Sequence, residues 1–257
     1  STGEGYRTAL NGVYQAMGRP ALYGREFSFG LVDCMSQQYD LANESFSTDL
    51  YIKASEFKYN DVSLVDFIDN IWTSGFKVIA NANDLIQNIE KASPELFEEG
   101  ELERTLIMGE AYACRALMHF DLLRMYGPIN CNSATKRIAY RTQFDSEVAV
   151  IQPTNVVMDS IIADLKAAEI LLTGTDPLNF DFPTKESEEE SMAGDRFLTY
   201  RHKRMNLYAV KALLARAYLY VGNKTEAKKY ANEVISSSYF DLIGDTNDPL
   251  RSKEILF

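Results

Sequence analysis

Apolar residues recur every three to four positions in six stretches of the chain, the spacing that lines one face of an α-helix. Residues 8–17 carry Leu10, Val13, Tyr14 and Met17 in that register. Residues 63–89 carry the longest stripe, running from Leu64, Phe67, Ile68, Ile71 and Trp72 through Phe76, Ile79, Asn83 and Ile86. Asp61 or Ser63 can cap its start, and Lys91-Ala92-Ser93-Pro94 ends it. A third stretch, 101–126, buries Leu106, Ala113, Leu117, Phe120, Leu122 and Leu123 and stops at Gly127-Pro128. A fourth, 154–172, has Val157, Ile161, Leu165, Ala168 and Leu172 in register, with Thr154 as the expected N-cap. The last two, 205–221 and 224–237, are separated only by Gly222-Asn223, a turn short enough to make them antiparallel. Between these helices the pattern breaks down. Residues 20–60 are irregular and aromatic, with Tyr23, Phe27, Phe29, Tyr39, Phe46, Tyr51, Phe57 and Tyr59. Residues 129–152 read as irregular with short extended pieces. Residues 173–200 form a polar insertion whose run Glu186-Ser187-Glu188-Glu189-Glu190 suits a solvated loop.

The final helical pair fits a tetratricopeptide-type spacing. Leu214 and Ala215 are followed by Tyr218, then Ala227 and Ala231, so small residues allow close approach and Tyr218 fills the gap between units. The aromatic expected near Ala231 and the closing proline are missing, with Tyr239 in the latter's place. One such pair cannot bury its own apolar face and needs stacked neighbours, for which the pair 63–90 and 101–126 is the natural choice. The expected fold is all-α: a tetratricopeptide-like helical repeat scaffold with irregular loop insertions. Residues 1–62 hold the N-terminal helix and the aromatic-rich segment, 63–172 and 201–240 the repeat-like helices, and 173–200 the insertion.

Composition narrows the chemistry. The 257 residues include 26 Lys plus Arg against 37 Asp plus Glu, a net charge of −11 that disfavours binding to nucleic acid or to anionic lipid by charge. No apolar run approaches the ~20 residues that span a bilayer. Cys34, Cys114 and Cys131 fit no CxxC or zinc spacing and read as unpaired buried thiols; His119 and His202 form no metal pattern. No nucleophile elbow or phosphate loop occurs, so catalytic residues, metals and cofactors are not expected. The three apolar residues Ile255-Leu256-Phe257 at the end are expected of a fragment, since natural termini are more often polar.

The run from Gly109-Glu110-Ala111 through Arg115-Ala116 and Phe120 to Tyr126-Gly127-Pro128 resembles the signature of the SusD/RagB family. Four further segments agree in order: Ala9-Leu10-Asn11-Gly12-Val13-Tyr14, Ala82-Asn83-Asp84-Leu85-Ile86, Ile162-Ala163-Asp164-Leu165, and Ala212-Leu213-Leu214-Ala215-Arg216-Ala217-Tyr218. Glu254-Ile255-Leu256-Phe257 is similar to the motif that opens the family's second half. The resemblance covers nearly all of this chain but about half of a typical member. Asn130 and Cys131 depart from it, standing where members usually place a proline. It implies an outward-facing outer-membrane lipoprotein that binds an oligosaccharide, or in some members a peptide, and passes it to a SusC-like TonB-dependent transporter. Its lipid anchor and signal are not in this chain.

Within that reading most recognisable residues are structural. Gly109 permits close helix packing, Glu110 and Arg115 pair with separate neighbours or cap backbone groups, and Asn83 hydrogen-bonds to a loop, because a buried amide must be satisfied. Trp72 is expected in the core. Sugar capture asks for aromatic faces with a few polar groups on loops, which selects Tyr39, Asp40, Asn43, Glu44, Tyr51 and Tyr59. The competing reading is that these aromatics simply pack the loop onto the helices. Two other functions compete: a cytoplasmic helical-repeat adaptor binding a peptide or protein in its groove, and a glycoside hydrolase, which needs two suitably spaced carboxylates that no pattern here selects.

Overall fold

The computed structural model describes residues 2–41, 49–176, 197, 201–237 and 239–240. The fold is all-α, as the spacing predicts. Helix α1 (Gly3–Met17) starts earlier than the stripe alone suggests, because Thr2 Oγ1 accepts the Gly5 amide and caps it. Two short helices, α2 (Leu31–Met35) and α3 (Asp49–Ser55), order part of the segment read as irregular. Helix α4 (Val62–Ile89) is capped by Asp61, whose carboxylate accepts the Ser63 amide at 3.0 Å. Helix α5 (Gly100–Tyr126) follows a 3-10 turn at Pro94–Leu96. Strands β1 (Lys136–Ile138) and β2 (Gln152–Pro153) pair antiparallel and are the extended pieces of the 129–152 segment. Helix α6 is Thr154–Leu172, and α7 (Leu207–Tyr220) and α8 (Lys224–Ile235) form the closing hairpin.

The core is built around α5. Helices α1, α4, α6 and α7 all contact it, so it is buried on every side rather than along one stripe. That explains why charged Glu103, Glu110 and Arg115 sit among its buried residues. Gly109 is where α6 comes closest: a Cβ there would lie 2.9 Å from Leu172 side-chain atoms. Close approach of this kind lets α5 and α6 bring Leu106, Ala113, Ile161, Leu165 and Ala168 into one cluster.

Three local expectations are corrected. Thr154 is the first residue of α6 rather than its cap; its buried hydroxyl donates to the Thr135 carbonyl at 2.7 Å, fastening α6 to the strand region. The α7–α8 hairpin packs chiefly through α7 against α6, with only slight contact to α5, instead of stacking on the α4–α5 pair. Tyr218 stacks on Tyr230 within its own hairpin, 5.8 Å apart at 8°, and the buried Tyr230 supplies the aromatic that position 231 lacks. The hairpin turn itself uses Gly222 at φ +82°, a conformation in which a side chain would be strained, and Asn223 Oδ1 then caps α8. Residues 177–196 and 198–200 of the polar insertion, Asn43, Glu44, Phe46 and the 254–257 motif lie outside the described residues.

Candidate functional site

Two of the carboxylates on helix α5 stand eleven residues apart, three turns along one face, and each gathers a tyrosine hydroxyl and two guanidinium groups. The first is Glu110, fully buried. It receives the Tyr14 hydroxyl, Arg201 from the 3-10 turn Arg201–Lys203, and Arg204 at 3.1 Å. Arg201 also reaches Asp176 at 3.1 Å, and Asp176 accepts the Leu207 amide at the start of α7. Burial alone would raise the Glu110 pKa, but the two guanidiniums outweigh it and hold the carboxyl below its ordinary range. The net effect is a charged lock tying α1, α5 and the start of α7 together.

A neighbouring lock is built on Arg115, which forms a bidentate pair with Asp164 of α6 at 2.7 and 2.8 Å and donates to Asn83 Oδ1 of α4 at 2.8 Å. Asn83 in turn donates to the Arg141 and Gln143 carbonyls, so the expected bond to a loop is present. His119 Nε2 accepts the Arg141 amide at 3.0 Å, which leaves the proton on Nδ1, facing the Arg115 carbonyl at 2.9 Å. Burial pushes the His119 pKa down to about 3, so the ring is neutral.

The second carboxylate is Asp121, and its surroundings are open. The Tyr23 hydroxyl donates to Oδ2 at 2.6 Å, Arg124 donates to Oδ1 at 3.1 Å, and Arg216 of α7 stands 3.8 Å away. Arg124 is 46% exposed and Arg216 51%, against 2% for Arg201 in the buried cluster. Together with Tyr23, Phe27, Val32, Met35, Ser36, Phe57 and Met125 they line a groove of about 480 Å³. Phe57 is half exposed there and has φ +56°, a left-handed backbone that costs a bulky residue energy. That conformation ends α3: the Lys58 amide donates to the Lys53 carbonyl at 2.9 Å and the Phe57 amide to the Ala54 carbonyl at 3.1 Å, which leaves the ring facing solvent.

A second groove of about 390 Å³ lies between α4 and the 137–151 segment, with Trp72 and Phe76 on its floor. Trp72 is thus half-buried against Phe76 and Tyr126 rather than sealed in the core. The polar groups of this groove are largely committed: Asn83 as above, and Arg141 to the Glu147 carbonyl and to Asp145.

Of the residues selected from sequence, four lie among the described residues. Tyr59 is exposed and meets Phe57 at 6.1 Å between ring centres. Tyr39 is exposed, its hydroxyl donating to the Phe29 carbonyl at 2.7 Å, and Asp40 is exposed beside it. Tyr51 turns inward from α3, its hydroxyl shared by the two oxygens of buried Glu26 at 3.2 and 3.3 Å. Glu26 also accepts the Leu31 amide, so Tyr51 serves to hold the segment together. None of these four lines the groove itself. Asp121, Arg124 and Arg216 escaped selection because they lie on two regular helices 92 to 95 positions apart, with no short-range signature. Among the described residues no cluster of three or more His, Cys, Asp or Glu side chains is placed to hold a metal, and no helix is long and apolar enough to cross a membrane.

Comparison with known proteins agrees with the helical scaffold. The SusD-like family model described as "Starch-binding associating with outer membrane" matches residues 26–186. The SusD-like protein P2 of Formosa agariphila is 25% identical over 174 residues, covering 66% of this chain and 31% of that protein. A SusD superfamily protein from Bacteroides thetaiotaomicron superposes with a TM-score of 0.67 at 21% identity, covering 95% of this chain and 48% of the other. A SusD-like carbohydrate binding protein from Bacteroides vulgatus gives 0.66 at 18% identity, covering 95% and 47%. The chain therefore spans about a third of the curated relative and about half of these solved structures.

Proposed function

Since the chain belongs to the SusD-like family, we propose that it captures glycan at the cell surface and passes it to a TonB-dependent outer-membrane transporter. The observation that carries this reading is the open groove on α5 and α7. It presents the rings of Tyr23, Phe27 and Phe57 beside the half-exposed guanidiniums of Arg124 and Arg216. Aromatic faces cover the apolar faces of sugar rings, and a few fixed polar groups set their orientation. Tyr39 and Tyr59, exposed on the neighbouring segment, extend the aromatic surface for a longer chain; Asp40, Asn43 and Glu44 belong to the same segment in sequence. Tyr51 supports that segment from behind through Glu26. The reading needs no bond-breaking step, and it places the protein outside the membrane, held by a lipid anchor.

The transporter half of the proposal draws on a different surface. Phe144, Val148, Val150 and Ile151 are large apolar side chains exposed along one short segment, a composition suited to a protein neighbour. Native gels containing a panel of polysaccharides test the capture reading. Retardation of this 257-residue chain by at least one polymer is the expected result. Free migration through every polymer, with a peptide bound instead, would replace it with the adaptor reading.

A further inference from the structure

Resting on the glycan reading of the same groove, we infer that its ligand is an anionic glycan, a sugar chain whose carboxylate or sulfate ester is received between Arg124 and Arg216. Hydrogen-bond inventory leads to this. A guanidinium has five N–H donors and no acceptor. Arg124 spends one donor on Asp121, through Nη1 at 3.1 Å. Arg216 stands 3.8 Å from Asp121, beyond hydrogen-bond range, and rests on the Phe120 ring at 5.8 Å. Asp121 is only 11% exposed and already takes the Tyr23 hydroxyl as well as Arg124. The groove therefore offers many donors and few acceptors. A neutral sugar hydroxyl both donates and accepts, and half of that capacity finds no match here. An anionic oxygen only accepts, and charge-assisted bonds to guanidinium are roughly twice as strong as neutral ones.

Charge points the same way. The groove-lining residues contribute two positive groups and one negative, a local surplus of one positive charge in a chain whose net charge is −11. At physiological ionic strength fields decay over about 8 Å, so an approaching anion responds to this pair more than to distant carboxylates. The aromatic walls then cover the ring that carries the anion, with Phe57 held at the end of α3 by the hydrogen bonds that close that helix.

The test uses matched polymers that differ only in charge: polygalacturonate oligomers against their methyl esters, and dextran sulfate against dextran. Each is titrated calorimetrically into the 257-residue chain and into its Arg216→Gln and Arg216→Lys variants. Arg216 is half exposed, so both variants should keep the parent's melting temperature. We expect at least one anionic polymer to bind ten times or more tighter than its neutral counterpart. Arg216→Gln should erase that preference, Arg216→Lys should restore part of it, and the preference should weaken with added salt. Whether the uronate or the sulfate pair shows the effect identifies the anionic group. Equal affinity within both pairs, or an anion preference that survives Arg216→Gln, overturns the inference and leaves glycan capture standing. Absence of binding to all four polymers and to the wider neutral panel overturns the glycan reading and this inference with it.

Discussion

Two clusters built on a similar plan sit on one helix in opposite environments. Glu110 and Asp121 each hold a tyrosine hydroxyl and two arginines, yet Glu110 is fully buried while the arginines of Asp121 are about half exposed. The difference is what covers them. Around Glu110 the chain folds back from position 201, and Phe197 lies over Arg204 at 4.6 Å, so the charges are enclosed by their own protein. Around Asp121 the covering residues are Tyr23, Phe27, Val32, Met35, Ser36 and Phe57, which leave a groove. Similar side chains thus fasten the fold where water is excluded and, in the proposed reading, receive ligand where it is not.

Substitution should separate the two clusters sharply. Arg201→Gln removes the guanidinium shared by Glu110 and Asp176 and leaves buried charge uncompensated, a loss of about 3–5 kcal/mol. Thermal unfolding should register this as a fall on the order of 10 °C. The equivalent change in the open cluster, Arg216→Gln, should cost less than about 0.5 kcal/mol, as surface pairs do. Equal losses would mean that the groove is as structural as the core.

Acid should expose the sealed interior next. His119 holds its pKa at about 3 in the folded chain, against about 6.5 when unfolded. Between those values the unfolded chain takes up a proton that the native chain refuses. Its contribution to stability is therefore complete above about pH 6.5 and is lost as pH falls toward 3. Urea unfolding across that window should show a shallower pH dependence in His119→Gln than in the parent. Parallel curves would place the acid sensitivity elsewhere.

A small stability effect should come with a large functional one. Phe57→Gly removes left-handed strain at φ +56° and should change stability by no more than about 1 kcal/mol, in either direction. Glycan affinity should fall roughly tenfold, the loss typical when an aromatic anchor is truncated. Retained affinity would remove Phe57 from the binding surface.

The sealed cluster was partly legible from sequence and the open one was not. Glu110, Arg115 and Asn83 interrupt apolar stripes on long helices, and a polar residue in such a place must find a partner; the structure supplies one for each. Arg201 and Arg204 gave no such sign, because a polar stretch next to an insertion looks like surface. The helices themselves were readable wherever periodicity was long, as in α4 and α6, and α5 was legible at 101–126 against Gly100–Tyr126 in the structure. What its stripe did not reveal is that Glu103, Glu110 and Arg115 are buried along with it. The aromatic stretch advertised Tyr23, Phe27 and Phe57 as rings without revealing which of them face solvent. That is decided by contacts such as Tyr51 with Glu26, which turn one ring inward and leave its neighbours outside.

Hydrogen–deuterium exchange with and without a retained polysaccharide tests the central claim most directly. The account predicts that ligand slows exchange at residues 23–36, around Phe57 and at 121–125, while the amides around Glu110 stay as slow as before. Protection confined to α4 and the 137–151 segment would contradict it by moving the ligand to the other groove.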